Sequence, residues 1–196
     1  MNTNPLFINL DGDYTNTMFE HSIQFKDIKT LHLDERADKE AYFLIKGNER
    51  ESIIQLITMM LQRDYLSPKE IEDLLMENDY YYVGSKKESS RLLYHFILED
   101  MSDNAQNLYM ISEYNNCLTS IIHVEEYSNL PFSDTRNQRL VSITKHHCKI
   151  TRKSISADTM SDRKADASFV QYKLYMKNGQ ITRFRYFVKR NSGAIY

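Results

Sequence analysis

Three helix starts of one chemical kind follow each other between residues 48 and 101, and they constrain the fold more than any other stretch. Asn48 is followed three residues later by Glu51, Ser67 by Glu70, and Ser85 by Glu88. Each pair spells a capping box: a short polar side chain accepts a bond from a free helical N–H, and the acid reaches back. Pro68 suits the first position of the second helix, where its missing N–H costs nothing. Apolar spacing predicts a buried helix over 49–63, with Ile53, Leu56, Ile57, Met60 and Leu61 on one face and Ile54 and Met59 widening it. The next helix, Pro68 to about Asn78, turns Ile71, Leu74 and Leu75 inward. A third runs from about Lys86 to Asp100 on Leu92, Leu93, Phe96 and Ile97, and a fourth from Asp103 to about Asn116 on Leu108, Ile111 and Tyr114.

Strand signals flank this centre. Leu6 to Leu10 reads as a short strand stopped by Asp11-Gly12-Asp13, a turn rather than a metal site. Residues 14–27 are loosely helical, Ile28 to Leu33 alternates like a strand, and Ala41 to Ile45 fits either a strand or a helix end. Leu118 to Val124 is apolar and β-branched, and the loop from Asn129 to Asn137 is the natural internal boundary. Beyond it Leu140 to Ile150 alternates, and Thr151 to Ala167 is polar and reads as a loop. Phe169 to Lys177 and Gln180 to Arg190 are joined by Asn178-Gly179, the preferred two-residue hairpin turn. An unbroken register pairs Met176 with Ile181, Leu174 with Arg183 and Tyr172 with Arg185. That places the two arginines among Tyr172, Leu174 and Phe187, a basic-aromatic mixture able to grip phosphate and stack bases. The expected fold is α+β: an acidic segment 1–130 with central helices, then a basic β-rich segment 138–196 packed on it.

Composition narrows the function. The chain has 196 residues, 41% hydrophobic and 27% charged, enough for a real core and ordinary for a folded protein. Two widely spaced Cys give no disulfide framework, Met1 to Asp13 has neither the basic start nor the apolar run of a signal peptide, and no stretch has the length of a membrane span, so the expectation is cytoplasmic. No Gly-rich phosphate loop, nucleophile elbow or paired-Cys motif is present, and His146-His147-Cys148 puts at most two ligands on one strand face. A protein that is not an enzyme, with no cofactor, metal or small-molecule substrate, is expected. Net charge is −2, but residues 145–196 hold twelve Lys and Arg against Asp158, Asp162 and Asp166, a balance of +9, which leaves −11 on residues 1–144. Such a split speaks of partners, or of two halves that neutralise each other.

The segment L-S-P-K-E-I-E-D-L-L at 66–75, followed by S-K-K-E-S-S-R-L-L-Y-H-F-I at 85–97, resembles the helix-turn-helix group of DNA-binding domains. The resemblance implies that Lys86, Lys87 and Arg91 approach DNA from a recognition helix. The connection from Glu77 to Ser85 is longer than that motif's turn, and no Gln/Asn/Arg cluster opens the helix. As a whole, through M-N-T-N-P-L-F-I-N-L-D-G-D-Y and segment 66–97, the chain resembles the RNA-polymerase inhibitor proteins of large staphylococcal phages, which bind the host sigma factor. That resemblance implies a phage-encoded inhibitor of host transcription acting by contact with sigma's −35-reading domain. Asp79, Tyr80, Tyr81 and Tyr82 are then the candidate anchor set, and Arg183, Arg185, Lys189 and Arg190 lie near promoter DNA or another polymerase subunit. The alternatives are a direct DNA-binding regulator, or a phage protein that blocks a host nuclease or defence complex by protein contact.

Overall fold

The computed structural model describes residues 7–10, 38–61, 67–101, 105–128, 135–144, 146–156 and 166–191. Its centre is β-sheet. Among the described residues ten strands run in chain order: β1 (Phe7–Asn9), β2 (Phe43–Leu44), β3 (Asp79–Lys87), β4 (Leu92–Met101), β5 (Ala105–Tyr114), β6 (Cys117–Ser128), β7 (Thr135–Thr144), β8 (His147–Ser156), β9 (Asp166–Lys177) and β10 (Gln180–Asn191). Among the described residues only α1 (Gly47–Leu61) and α2 (Pro68–Leu75) are α-helical, with one 3-10 turn at Lys39–Ala41. The first six strands form a large antiparallel sheet in the order β1-β6-β5-β4-β3-β2, and the last four a small antiparallel sheet in the order β10-β9-β8-β7.

Three layers result, because alternate side chains of the large sheet point to opposite faces. One face, with Tyr80, Tyr82, Ile97, Tyr109, Ile111 and Ile121, packs under α1 and α2 through Ile53, Leu56, Ile57, Met60, Ile71 and Leu75. The other, with Tyr81, Val83, Tyr94, Phe96, Leu98 and Met110, meets Ile143, Cys148, Ile150, Tyr172, Leu174 and Met176 of the small sheet. The sheets divide the sequence between Ser128 and Thr135, yet their facing side chains make a single core cluster.

The helical centre and its helix-turn-helix run are therefore overturned. Residues 86–87, 92–101 and 105–114 are strand, with 88–91 turning between β3 and β4, not a third and fourth helix, and Ser85 is buried inside β3 rather than capping anything. The cause is double burial. Nearly every residue of β4 is covered, one face by helices and the other by the small sheet. Its apolar run is then nearly continuous, and Leu92, Leu93, Phe96 and Ile97 mimic helical spacing. Asn115 and Asn116, with φ of 53° and 61°, form the two-residue turn between β5 and β6. The polar stretch from Thr151 is strand as far as Ser156 and again from Asp166, and Leu140 to Ile150 is two strands, not one.

Other expectations hold. Ser67 accepts from the Glu70 N–H and Glu70 bonds back to the Ser67 backbone, the capping box at the start of α2. α1 buries Ile53, Ile54, Leu56, Ile57 and Met60, although it starts at Gly47 and leaves Met59 exposed. α2 stops at Leu75 and exposes Leu74. The Asp11-Gly12-Asp13 turn and the readings for 14–33 lie outside the described residues.

Candidate nucleic-acid interface

The hairpin of β9 and β10 turns at Asn178 and Gly179, both at positive φ (52° and 78°), as its sequence requires. The turn is docked, not free. Gly179 is buried, its carbonyl accepts from Ser120 Oγ at 2.7 Å, and a Cβ there would overlap Thr119 Oγ1. Next to it the Asn9 amide closes the start of β10, accepting from the Ile181 N–H and donating to the Ile181 carbonyl, both at 2.8 Å.

One residue into β10 the ladder shifts. Ile181 pairs with Met176, but Arg183, not Thr182, stands opposite Tyr175, so Thr182 is the extra residue of a β-bulge. That single insertion reverses the face of everything beyond it. Phe184 and Tyr186 join Leu174 and Tyr172 on the inward side, while Arg183, Arg185 and Phe187 join Tyr175, Lys173 and Gln171 on the outer side. The unbroken register expected from sequence, which grouped the arginines with Tyr172 and Leu174, is corrected accordingly.

The outer face of the small sheet is then a graded set of rows. His147, Tyr175 and Arg183 form one; Lys149, Lys173 and Arg185 the next; Thr151, Gln171 and Phe187 a third. Neighbouring strands are about 4.8 Å apart, so the middle row holds three cations side by side. Lys173 Nζ lies 5.1 Å and the Arg185 guanidinium 6.0 Å from the Tyr175 ring centre, so both cations lean on one aromatic face. Phe187 is 57% exposed. Across the four strands stand eleven Lys and Arg and one acid, Asp166 at the start of β9. Lys189 and Arg190 continue β10 opposite Phe169 and Ser168.

The remaining predicted residues do not join this surface. Tyr80 and Tyr82 are fully buried and Tyr81 nearly so, which removes them as exposed anchors; only Asp79, at the start of β3, faces solvent. Lys86 is part-buried, donating to the Ile143 carbonyl at 2.6 Å, which ties the two sheets together, and pairing with Glu88 at 2.8 Å. Lys87 and Arg91 are exposed at the β3–β4 end, on strand and turn, not on a recognition helix.

Sequence reasoning also missed a buried polar cluster under the helices. The Glu99 carboxylate accepts four bonds: from Asn78 Nδ2 and Tyr80 OH on one oxygen, and from Asn107 Nδ2 and Tyr109 OH on the other, at 2.7–3.0 Å. Along the same face His95 Nδ1 meets Tyr82 OH at 3.1 Å and its Nε2 meets Glu113 at 2.8 Å. Burial, followed by the Glu113 charge, pushes the Tyr82 phenol up to about 12, and burial beside Glu99 raises Tyr80 and Tyr109 further. These groups satisfy one another, with the Tyr, His and Glu members buried and Asn78 and Asn107 part-buried at the margin, an arrangement that orders the core. The signal was present as His95, Ile97 and Glu99 at period two.

Cys148 is completely buried between the sheets, and desolvation pushes its thiol up to about 12. Among the described residues, no group of three His, Cys, Asp or Glu is placed to hold a metal ion, and no helix is long and apolar enough to cross a membrane. Comparison of the chain with protein-family models, with curated proteins and with solved structures finds no match to any of them.

Proposed function

We propose that this protein is a binding protein without catalytic activity that lays the outer face of its small sheet along single-stranded nucleic acid. The observation that carries the reading is the cation row Lys149–Lys173–Arg185, backed by Tyr175 and bordered by Phe187, on strands almost free of acid. Strand backbones hold these groups at fixed spacing, so little ordering is needed when a phosphate chain arrives. Exposed aromatic rings between cations suit unpaired bases, which stack without regard to sequence. Rings on a sheet face reach unpaired bases, whereas bases stacked inside a duplex hide their faces, and this favours single strands over B-form DNA.

The test is fluorescence anisotropy with a labelled single-stranded oligonucleotide, read across a salt series. A log–log slope of about −0.7 per phosphate contact is expected, with Phe187→Ala weakening binding by about 1–3 kcal/mol for a lost stack. Binding that ignores both salt and Phe187 removes the proposal, and preferential binding to duplex corrects its substrate.

A second reading has its own support. The opposite side of the molecule is acidic, with Glu51, Glu70, Asp73, Glu77 and Asp79 exposed on and beside the helical layer. That surface suits a basic protein, and the polymerase-inhibitor resemblance names the host sigma factor as one. Affinity capture from a Gram-positive lysate with and without nuclease separates the two: sigma and polymerase retained after nuclease favour the protein contact, and their loss favours nucleic acid.

A further inference from the structure

β10 is an edge strand of twelve residues, and among the described residues its edge is closed only at the start. In an antiparallel pair alternate residues direct N–H and C=O away from the neighbour. Ile181 is one of these, and Asn9 satisfies it. Past the bulge at Thr182 the outward set becomes Phe184, Tyr186 and Val188, and no described residue pairs with their backbone groups. The same three side chains lie on the inward side of the small sheet, yet remain 37%, 51% and 36% exposed. Phe184 packs edge-on against Phe7 with ring centres 6.0 Å apart, and Tyr186 stacks on Tyr172 at 6.4 Å. Here, then, an edge that no described residue closes coincides with a half-covered apolar strip; over 183–189 the charged residues fall at outer positions, and the next inward position, Arg190, lies beyond the strip. Soluble proteins normally blunt such an edge with an inward charge, a proline or a covering loop.

We infer that this edge pairs with the same edge of a second copy of the chain, antiparallel about a two-fold axis at Tyr186, making one continuous eight-stranded sheet. The segment is self-complementary in that register and not in its neighbours. Phe184 stands opposite Val188 of the second copy and Tyr186 opposite Tyr186, so every inward pair is apolar. On the outer face Arg185 stands opposite Phe187 of the second copy, a cation beside an aromatic ring. Moving the axis to Phe187 would instead set Arg185 opposite Lys189 and Phe184 opposite Arg190. In the favoured register the like-charged pair is Arg183 with Lys189, at the two ends of the joined segment. Salt therefore screens a repulsion, and pairing strengthens as salt rises. That is the opposite sign to nucleic-acid binding, so the two properties are separable. The joined sheet presents both basic faces as a single surface, doubling the length of strand it can track.

The experiment is sedimentation equilibrium of the full chain, free of nucleic acid, at low and high salt. A doubled mass is expected, with a dissociation constant that falls as salt rises, and Tyr186→Lys should return the protein to monomer by placing a charge in the apolar row. Near-ultraviolet circular dichroism shows whether that variant keeps its packing. Register is read separately by oxidation in a Cys117→Ser background. Tyr186→Cys should cross-link to itself, because the Cα atoms of a hydrogen-bonded pair lie about 5.5 Å apart. Arg185→Cys alone should not, whereas Arg185→Cys mixed with Phe187→Cys should. A monomer at every concentration overturns the inference. So does a doubled mass that survives Tyr186→Lys, which places the interface elsewhere. Protection of the β10 edge amides by an acidic peptide, with the chain still monomeric, would assign the edge to a different partner.

Discussion

Replacing Lys173 by Gln should weaken nucleic-acid binding while leaving the fold as stable as before or slightly more so. Lys173 has a cation directly across on each side, Lys149 on β8 and Arg185 on β10. Like charges in that position destabilise by about 0.2–1 kcal/mol per pair, so two pairs make roughly 0.4–2 kcal/mol. Against this, Lys173 lies over the Tyr175 ring, a contact worth about 0.5–1 kcal/mol where solvent reaches it. The balance is a change between about −0.6 and +1.5 kcal/mol in stability at low salt, centred on a slight gain and shrinking as salt screens both terms. Binding moves the other way: one lost phosphate contact lowers the salt slope by about 0.7, and Lys149→Gln, Lys173→Gln and Arg185→Gln together lower it by about 2. Urea unfolding and oligonucleotide anisotropy in the same buffers read both quantities. If Lys173→Gln destabilises the protein by more than about 1.5 kcal/mol, or binds single strands with an unchanged slope, the row is structural and the argument fails.

Other perturbations probe the frame that holds the row. Glu99→Gln turns one carboxylate oxygen, which accepts from an Asn amide and a Tyr hydroxyl, into a donor facing donors. A loss of about 2–4 kcal/mol in urea unfolding is expected, and a loss below about 1 kcal/mol would contradict the bond pattern. Gly179→Ala forces a side chain to adopt positive φ and to overlap Thr119. It should cost more than the roughly 1–2 kcal/mol of backbone strain alone, measurable as a lower midpoint in the same assay. Native protein should expose a single thiol to a disulfide reagent near neutral pH, Cys117, with Cys148 reacting only after unfolding; prompt reaction of Cys148 would mean that the sheets part readily.

What could be read from sequence follows how many faces of an element are buried. α1 and α2 cover one face of the large sheet and expose the other side of themselves, so their amphipathic spacing and the Ser67–Glu70 cap were legible. β3 to β6 are covered on both faces, and Tyr80-Tyr81-Tyr82-Val83 contains no polar beat to mark period two. The Ser85-x-x-Glu88 spelling then supplied a false helix start, and Asn115-Asn116, the turn that separates two strands, went unread. At the candidate site the Asn178-Gly179 turn and the basic-aromatic mixture were legible. Which aromatics accompany the arginines was not. That depends on the bulge at Thr182, and no residue type announces a one-residue slip.

The bulge also explains how a sheet can carry so much uncompensated charge. Without it, Arg183 and Arg185 would sit over Leu174 and Tyr172 on the side that builds the core, and Phe184 and Tyr186 would lose their ring contacts with Phe7 and Tyr172. With it, the inward positions of the small sheet are apolar through Cys148, Ile150, Tyr172, Leu174, Met176 and Ile181, so this burial stabilises the sheet independently of its outer surface. Asn9, Ser120 and Lys86 then fix the sheet against its neighbour through bonds to backbone at Ile181, Gly179 and Ile143. The outer face is thereby freed from any structural duty. Cations that repel one another across adjacent strands weaken the fold slightly, and under the proposed function a negatively charged ligand relieves that repulsion when it binds.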